Sequence, residues 1–227
     1  MSPLQGSVIE SSSHKPHHKP SQAEKIFAGL FSYLFHPLFI PVYVIIFLTY
    51  IHPSAFTGFS EQGKNQSIII ILLNIVFFPL FSVILLKFLG FIDSIYLRTK
   101  KDRIIPYMAC GIFFFWAYTV FREQLHYPLL LTSFILGIFL ASSAGLIANI
   151  YYKISMHAIG VGGAVAFMVL LGVNTFEPMG VPISIATFVA GLVCTARLVI
   201  SDHDPMEIVW GFSVGVVCQL IACWIIM

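Results

Sequence analysis

The sequence predicts an all-α membrane protein, a polytopic bundle of about seven transmembrane helices. Three observations carry that reading. Hydrophobic residues make up 58% of the 227 and charged residues only 10%, far from the balance of soluble domains. The apolar residues gather into runs of about 20, the length that crosses a bilayer's hydrocarbon core. The charged residues fall almost wholly between those runs, so any chemistry belongs to short loops and helix ends. A formal net charge of +2, with the charges dispersed, gives no basis for nucleic acid as a partner. Cys110, Cys194, Cys218 and Cys223 lie inside apolar runs, spaced neither for disulfides nor for zinc, and read as small buried apolar side chains.

Residues 1–25 read as a disordered polar tail, in which His14, His17 and His18 form a solvated tract; residues 26–227 form the transmembrane helical domain. The first run, 26–51, is too long for a signal-peptide core and predicts one membrane helix kinked at Pro37 or Pro41. The second, 68–91, contains Pro79 and leads into DSIYLRTKKDRIIP. There Arg98, Lys100, Lys101 and Arg103 crowd together, either as a basic cytoplasmic loop or as an anion clamp. The third run covers 104–121, and the fourth, 127–152, carries the small-residue patch ASSAG suited to close helix contact. Then comes KISMHAIGVGG, where Ser155 fits a helix cap and the fifth helix continues to about residue 176. The sixth and seventh runs are 181–200 and 205–227.

Between the last two runs, Arg197, His203, Glu207, Gly211 and Gly215 fall at the spacing R-x5-H-x3-E-x3-G-x3-G. Pro205 suits the first position of a helix, which makes Asp204 its N-cap and Glu207 its third residue. His203 then stands just outside a helix N-terminus, where unpaired N–H groups and the helix dipole favour anions, phosphate above all. Each residue also has a plain reading: a capping box, a glycine-mediated helix contact, an arginine snorkelling to headgroups. Counting crossings puts the clusters at 98–103, 153–157 and 197–207 on one membrane face, and convergent cations with two histidines suit a phosphate ester. All lysines and arginines but Lys64 and Arg122 fall toward that face.

These clusters resemble the type 2 phosphatidic acid phosphatase family, membrane relatives of the vanadium haloperoxidases. The family's Ser-Arg-x5-His-x3-Asp motif with spaced glycines is matched by Arg197, His203, Glu207, Gly211 and Gly215. Its Pro-Ser-Gly-His motif is matched partly by Ser155 and His157, and its Lys-to-Arg-Pro motif loosely by Lys101 and Arg103, with Pro106 displaced. Ala196, Met156 and Glu207 stand where the family has serine, glycine and aspartate, which marks a divergent branch. The resemblance implies a core of about six helices and hydrolysis of a lipid phosphate monoester or pyrophosphate, of phosphatidic acid or isoprenyl type. It implies His203 as nucleophile, Glu207 orienting it, and His157 as the acid and then the base. Arg197, Arg103, Lys101, Lys100, Arg98 and Ser155 would hold the phosphate, with no cofactor and no metal. The implied partners are a lipid-phosphate substrate and membrane lipid, and the setting is a bacterial inner or plasma membrane. The alternative is a non-catalytic relative that binds or moves phospholipid.

Overall fold

The computed structural model describes residues 20–92, 100–124, 127–200 and 203–227; for residues 100–103 it describes the backbone only. The basic residue Arg98 and the histidine tract of the tail lie outside the described residues. Among the described residues the chain consists of helices joined by short turns and forms no strand. Six helices are long and apolar enough to cross a membrane: α3 (Glu61–Phe88), α4 (which begins at Lys100 and is apolar from Ile104 to Arg122), α5 (Leu129–Tyr151), α6 (Met156–Asn174), α7 (Gly180–Ile200) and α8 (Pro205–Ile226). They are preceded by two shorter helices, α1 (Gln22–Leu34) and α2 (Ile40–Ile51).

The first apolar run is therefore not a single kinked helix. Pro37 has no N–H to continue α1 and disfavours helical geometry at His36, so the helix stops at Leu34 and restarts only at Ile40, with Pro41 in its first turn. Tyr43 fastens the corner by donating its hydroxyl to Leu34 O at 2.8 Å. Helix α1 also begins upstream of the apolar run, within the last residues of the polar stretch. Ser21 and Glu24 form a capping box, with Glu24 N–H donating to Ser21 Oγ at 3.2 Å, so α1 begins at Gln22. Likewise α3 begins at Glu61, seven residues before the apolar run, because Ser60 Oγ accepts from Gly63 N–H at 3.1 Å.

Two proline problems are solved inside helices. In α3 the turn Leu72–Phe77 widens to π geometry directly before Pro79, giving its ring room where an α turn would clash with the preceding carbonyl. In α4, which runs from Lys100 to Glu123, Pro106 sits in the second turn.

The core has two parts. The larger packs Leu48, Ile71, Ile75, Phe121, Leu131, Phe167 and Leu171 toward the end that carries Phe56, Tyr127 and Met179. The smaller joins Ile40, Val161, Ala190 and Val193 nearer the opposite end. The outer faces are apolar and uncovered, with Phe88 84% and Trp224 83% exposed, as expected where lipid is the solvent.

Helices α6 and α8 are pressed together through glycine. A Cβ on Gly215 would lie 2.1 Å from Ile159 O, and one on Gly162 would lie 2.3 Å from Phe212 O. Gly211 faces Ser155 O in the same way, at 2.8 Å. Without side chains at these points the two backbones touch, which fixes the N-terminal ends of α6 and α8 side by side. Those ends carry His157 and His203.

Candidate functional site

Asp204, extended at φ −73° and ψ 152°, is the N-cap of α8, and Pro205 opens the helix. Glu207, at the third position, folds back so that its Oε2 accepts the Asp204 N–H at 3.3 Å. The same oxygen lies 2.6 Å from His203 Nδ1. The capping contact and the histidine contact are thus one geometry: the helix start aims the carboxylate, and the carboxylate holds the ring. Because a carboxylate only accepts, Nδ1 carries the hydrogen and Nε2 keeps the lone pair. Burial pushes the His203 pKa down, Glu207 pulls it up through the hydrogen bond and its charge, and Arg197 pushes it down; the net direction is below the ordinary histidine value.

Arg197, half-buried in the last turn of α7, donates from Nη1 to Ser32 Oγ at 2.9 Å. His157, in the first turn of α6, places Nε2 3.2 Å from the same hydroxyl and 3.1 Å from Ser32 O. Its ring meets that of His36 edge-on, with centroids 5.5 Å apart and planes at 82°. Ser155 is fully buried, and its hydroxyl accepts the Ala158 N–H at 3.5 Å as the N-cap of α6, so the structure gives it the capping part of its sequence reading. Lys100, Lys101 and Arg103 occupy the first turn of α4, and only their backbone is described.

His36, His157, Arg197 and His203 line one end of a cavity of about 390 Å³. Pro106 lines it too, so the helix that begins in the basic cluster reaches the same opening. Away from this rim the wall is apolar: Leu80 and Val83 from α3, Cys110 and Phe114 from α4, Phe134 and Ile138 from α5. Gln219 ends it as a buried polar group, its amide 3.5 Å from Ser133 O and its tip seated where Gly137 has no Cβ. A polar rim over an apolar body fits an amphiphile whose anionic end sits among one guanidinium and three imidazoles.

No protein-family model, no curated protein and no solved structure matches this chain.

The site thus brings together His203, Glu207, Arg197 and His157 of the sequence-predicted set. Two further residues, Ser32 and His36, come from the first apolar run and were not legible as site residues. Their one signal was a serine and a histidine four positions apart in an otherwise apolar stretch, where polar groups are costly.

Proposed function

We propose that this protein is a membrane-embedded phosphatase that hydrolyses the phosphate monoester or pyrophosphate of a lipid, of phosphatidic acid or isoprenyl type, through a phosphohistidine on His203. The observation that carries the reading is the oriented His203–Glu207 pair, beside Arg197 and His157, on the rim of an apolar cavity. Held at Nδ1 by Glu207, His203 attacks phosphorus with its Nε2 lone pair, forming an N–P bond as the P–O bond to the lipid breaks. Arg197 stabilises the charge on the equatorial phosphoryl oxygens. His157 relays a proton from the monoprotonated phosphate of the incoming lipid to the departing oxygen, then takes a proton from the water that attacks the phosphohistidine. Inorganic phosphate leaves and His203 is restored. The fatty or isoprenyl chain lies against Leu80, Val83, Phe114 and Phe134, so the reacting end is presented at a fixed depth.

The test is a substrate screen on purified protein with both lipid classes, measuring phosphate release, with His203→Ala as the inactive control. With an activated substrate whose leaving group needs no proton, His157→Ala should still be phosphorylated but should lose the adduct slowly. Rapid quenching without acid, followed by mass spectrometry, should then find phosphate on the peptide containing residue 203. Binding of the lipid phosphates with no hydrolysis of either class would leave the non-catalytic phospholipid binder standing instead.

A further inference from the structure

The three polar clusters do not account for the whole polar rim of the cavity. Ser32, buried on the last turn of α1, touches both of the residues that the clusters place opposite it. Its hydroxyl accepts from Arg197 Nη1 at 2.9 Å and lies 3.2 Å from His157 Nε2, while its carbonyl oxygen lies 3.1 Å from that same Nε2. A carbonyl only accepts, so His157 Nε2 carries a hydrogen and donates it, and Nδ1 is the ring nitrogen left to exchange protons. His36 follows in the corner between α1 and α2. Its Nδ1 accepts the Leu38 N–H at 3.3 Å, which makes Nε2 the N–H of the neutral ring, and the residue lines the cavity beside His157. The corner is seated on α6 at Gly160, where a Cβ would come within 3.2 Å of Ile40 Cδ1 and 3.7 Å of Pro37 Cα.

We propose that residues 32–36 form a fourth element of the anion site: Ser32 is a positioning residue that ties Arg197 to His157, and His36 offers its Nε2–H to a phosphoryl oxygen. The inference rests on the lipid-phosphate reading and deepens it. A guanidinium recognises phosphate as a planar fork, and a long arginine side chain at a membrane edge has many rotamers. Taking one of its N–H groups, Ser32 Oγ fixes the plane of that fork; accepting from Nε2, Ser32 O fixes the tautomer of His157. The residue that holds the phosphate and the residue that moves the proton are thereby set by one anchor. His36 adds a neutral donor, which supports a dianionic ligand without a further buried charge.

The probe is inorganic phosphate, titrated by calorimetry into the purified full chain, so that affinity is read without turnover. Ser32→Ala and His36→Phe should each weaken binding about tenfold, the loss of roughly one hydrogen bond to a charged group. Ser32→Thr and His36→Gln, which keep the hydroxyl and a side-chain N–H, should stay within about threefold of wild type by the same arithmetic. A merely structural role would lower the unfolding temperature without this rescue pattern. If lipid hydrolysis proceeds but phosphate binds too weakly to titrate, the same ordering is expected in KM, with kcat of His36→Phe changed less. Should Ser32→Ala not give folded protein, the two His36 variants decide alone. Unchanged affinity and KM in Ser32→Ala and His36→Phe overturns the fourth element and leaves the phosphatase reading intact. Neither phosphate binding nor lipid hydrolysis by wild type overturns that reading, and this one with it.

Discussion

At His203 the chemistry turns on which nitrogen is held. Glu207 takes Nδ1–H, so in the proposed reaction Nε2 is the attacking atom, and only while the ring is neutral. Burial keeps the ring neutral below the ordinary histidine range, against the pull of Glu207. Glu207→Gln removes that pull, so the folded-state pKa of His203 should fall further and the acid limb of kcat/KM should move to lower pH, even as the rate drops with the lost orientation. Substrate ionisation contributes equally to both profiles, so the difference between them reports the enzyme. A limb that moves to higher pH in the variant would contradict the assignment. Arg197 gives a second expectation. An ammonium reproduces neither the fork toward phosphate nor the contact to Ser32 Oγ, so Arg197→Lys should lower kcat/KM by about 10- to 100-fold while thermal unfolding stays near wild type. A snorkelling arginine would tolerate the exchange. The histidine–glutamate pair was legible in the sequence because it is local, four residues apart across a helix start signalled by Asp204 and Pro205. Ser32 was not, because 125 residues separate it from His157 and nothing in an apolar run announces its partner.

Helix positions follow from how closely backbones approach. Gly215 and Gly162 let α6 and α8 touch, and the distance between His157 and His203 is set by that contact. In Gly215→Ala the new methyl would meet Ile159 O at 2.1 Å and Gly163 N at 2.7 Å, backbone atoms that cannot rotate away. The helices must part, at a cost of about 1–3 kcal/mol, and activity should fall more than stability because the site spans the two. Gly191→Ala is the control, since a Cβ there meets nothing within 4 Å. Equal unfolding temperatures and equal rates for the two variants would remove the contact from the account. Helix existence was legible at this scale from apolar length, and the glycine contact from its four-residue spacing. Boundaries were not, because caps such as Ser21 and Ser60 carry helices out of the apolar run into polar sequence. The break at residues 35–39 was read only as a kink, since prolines at 37 and 41 permit either outcome and tertiary contacts such as Tyr43 to Leu34 decide.

For the whole molecule, alternation of the helices separates two ends with different tasks. The end holding His36, Ile154, His157 and His203 surrounds the cavity opening, while Phe56, Phe59, Tyr127 and Met179 close the other with apolar and aromatic packing. The polar rim of the cavity, with His36, His157, Arg197 and His203, therefore belongs to one end of the bundle only. This makes sidedness measurable. Tyr152, in the loop before α6, is 76% exposed, and Phe176, in the loop after it, is fully exposed. Cysteines at 152 and at the exposed Gly90 should react with a membrane-impermeant maleimide from one side of sealed vesicles. Cysteines at Phe176 and the exposed Thr57 should react only from the other. The native Cys110, Cys194, Cys218 and Cys223 lie within helices, two buried and two half-buried, so a background variant lacking them costs packing rather than a loop contact. Residue 57 is the informative position, since α2 spans only Ile40–Ile51, about 18 Å at the helical rise, and still has to carry the chain from the site end to the core end. Labelling of 57 and 90 from the same side as 152, with 176 opposite, would mean that neither α2 nor α3 crosses and that the chain from 40 to 88 re-enters as a hairpin. Ser32 and His36 would then be held at the site by a folded-back hairpin instead of by a helix anchored in the opposite face.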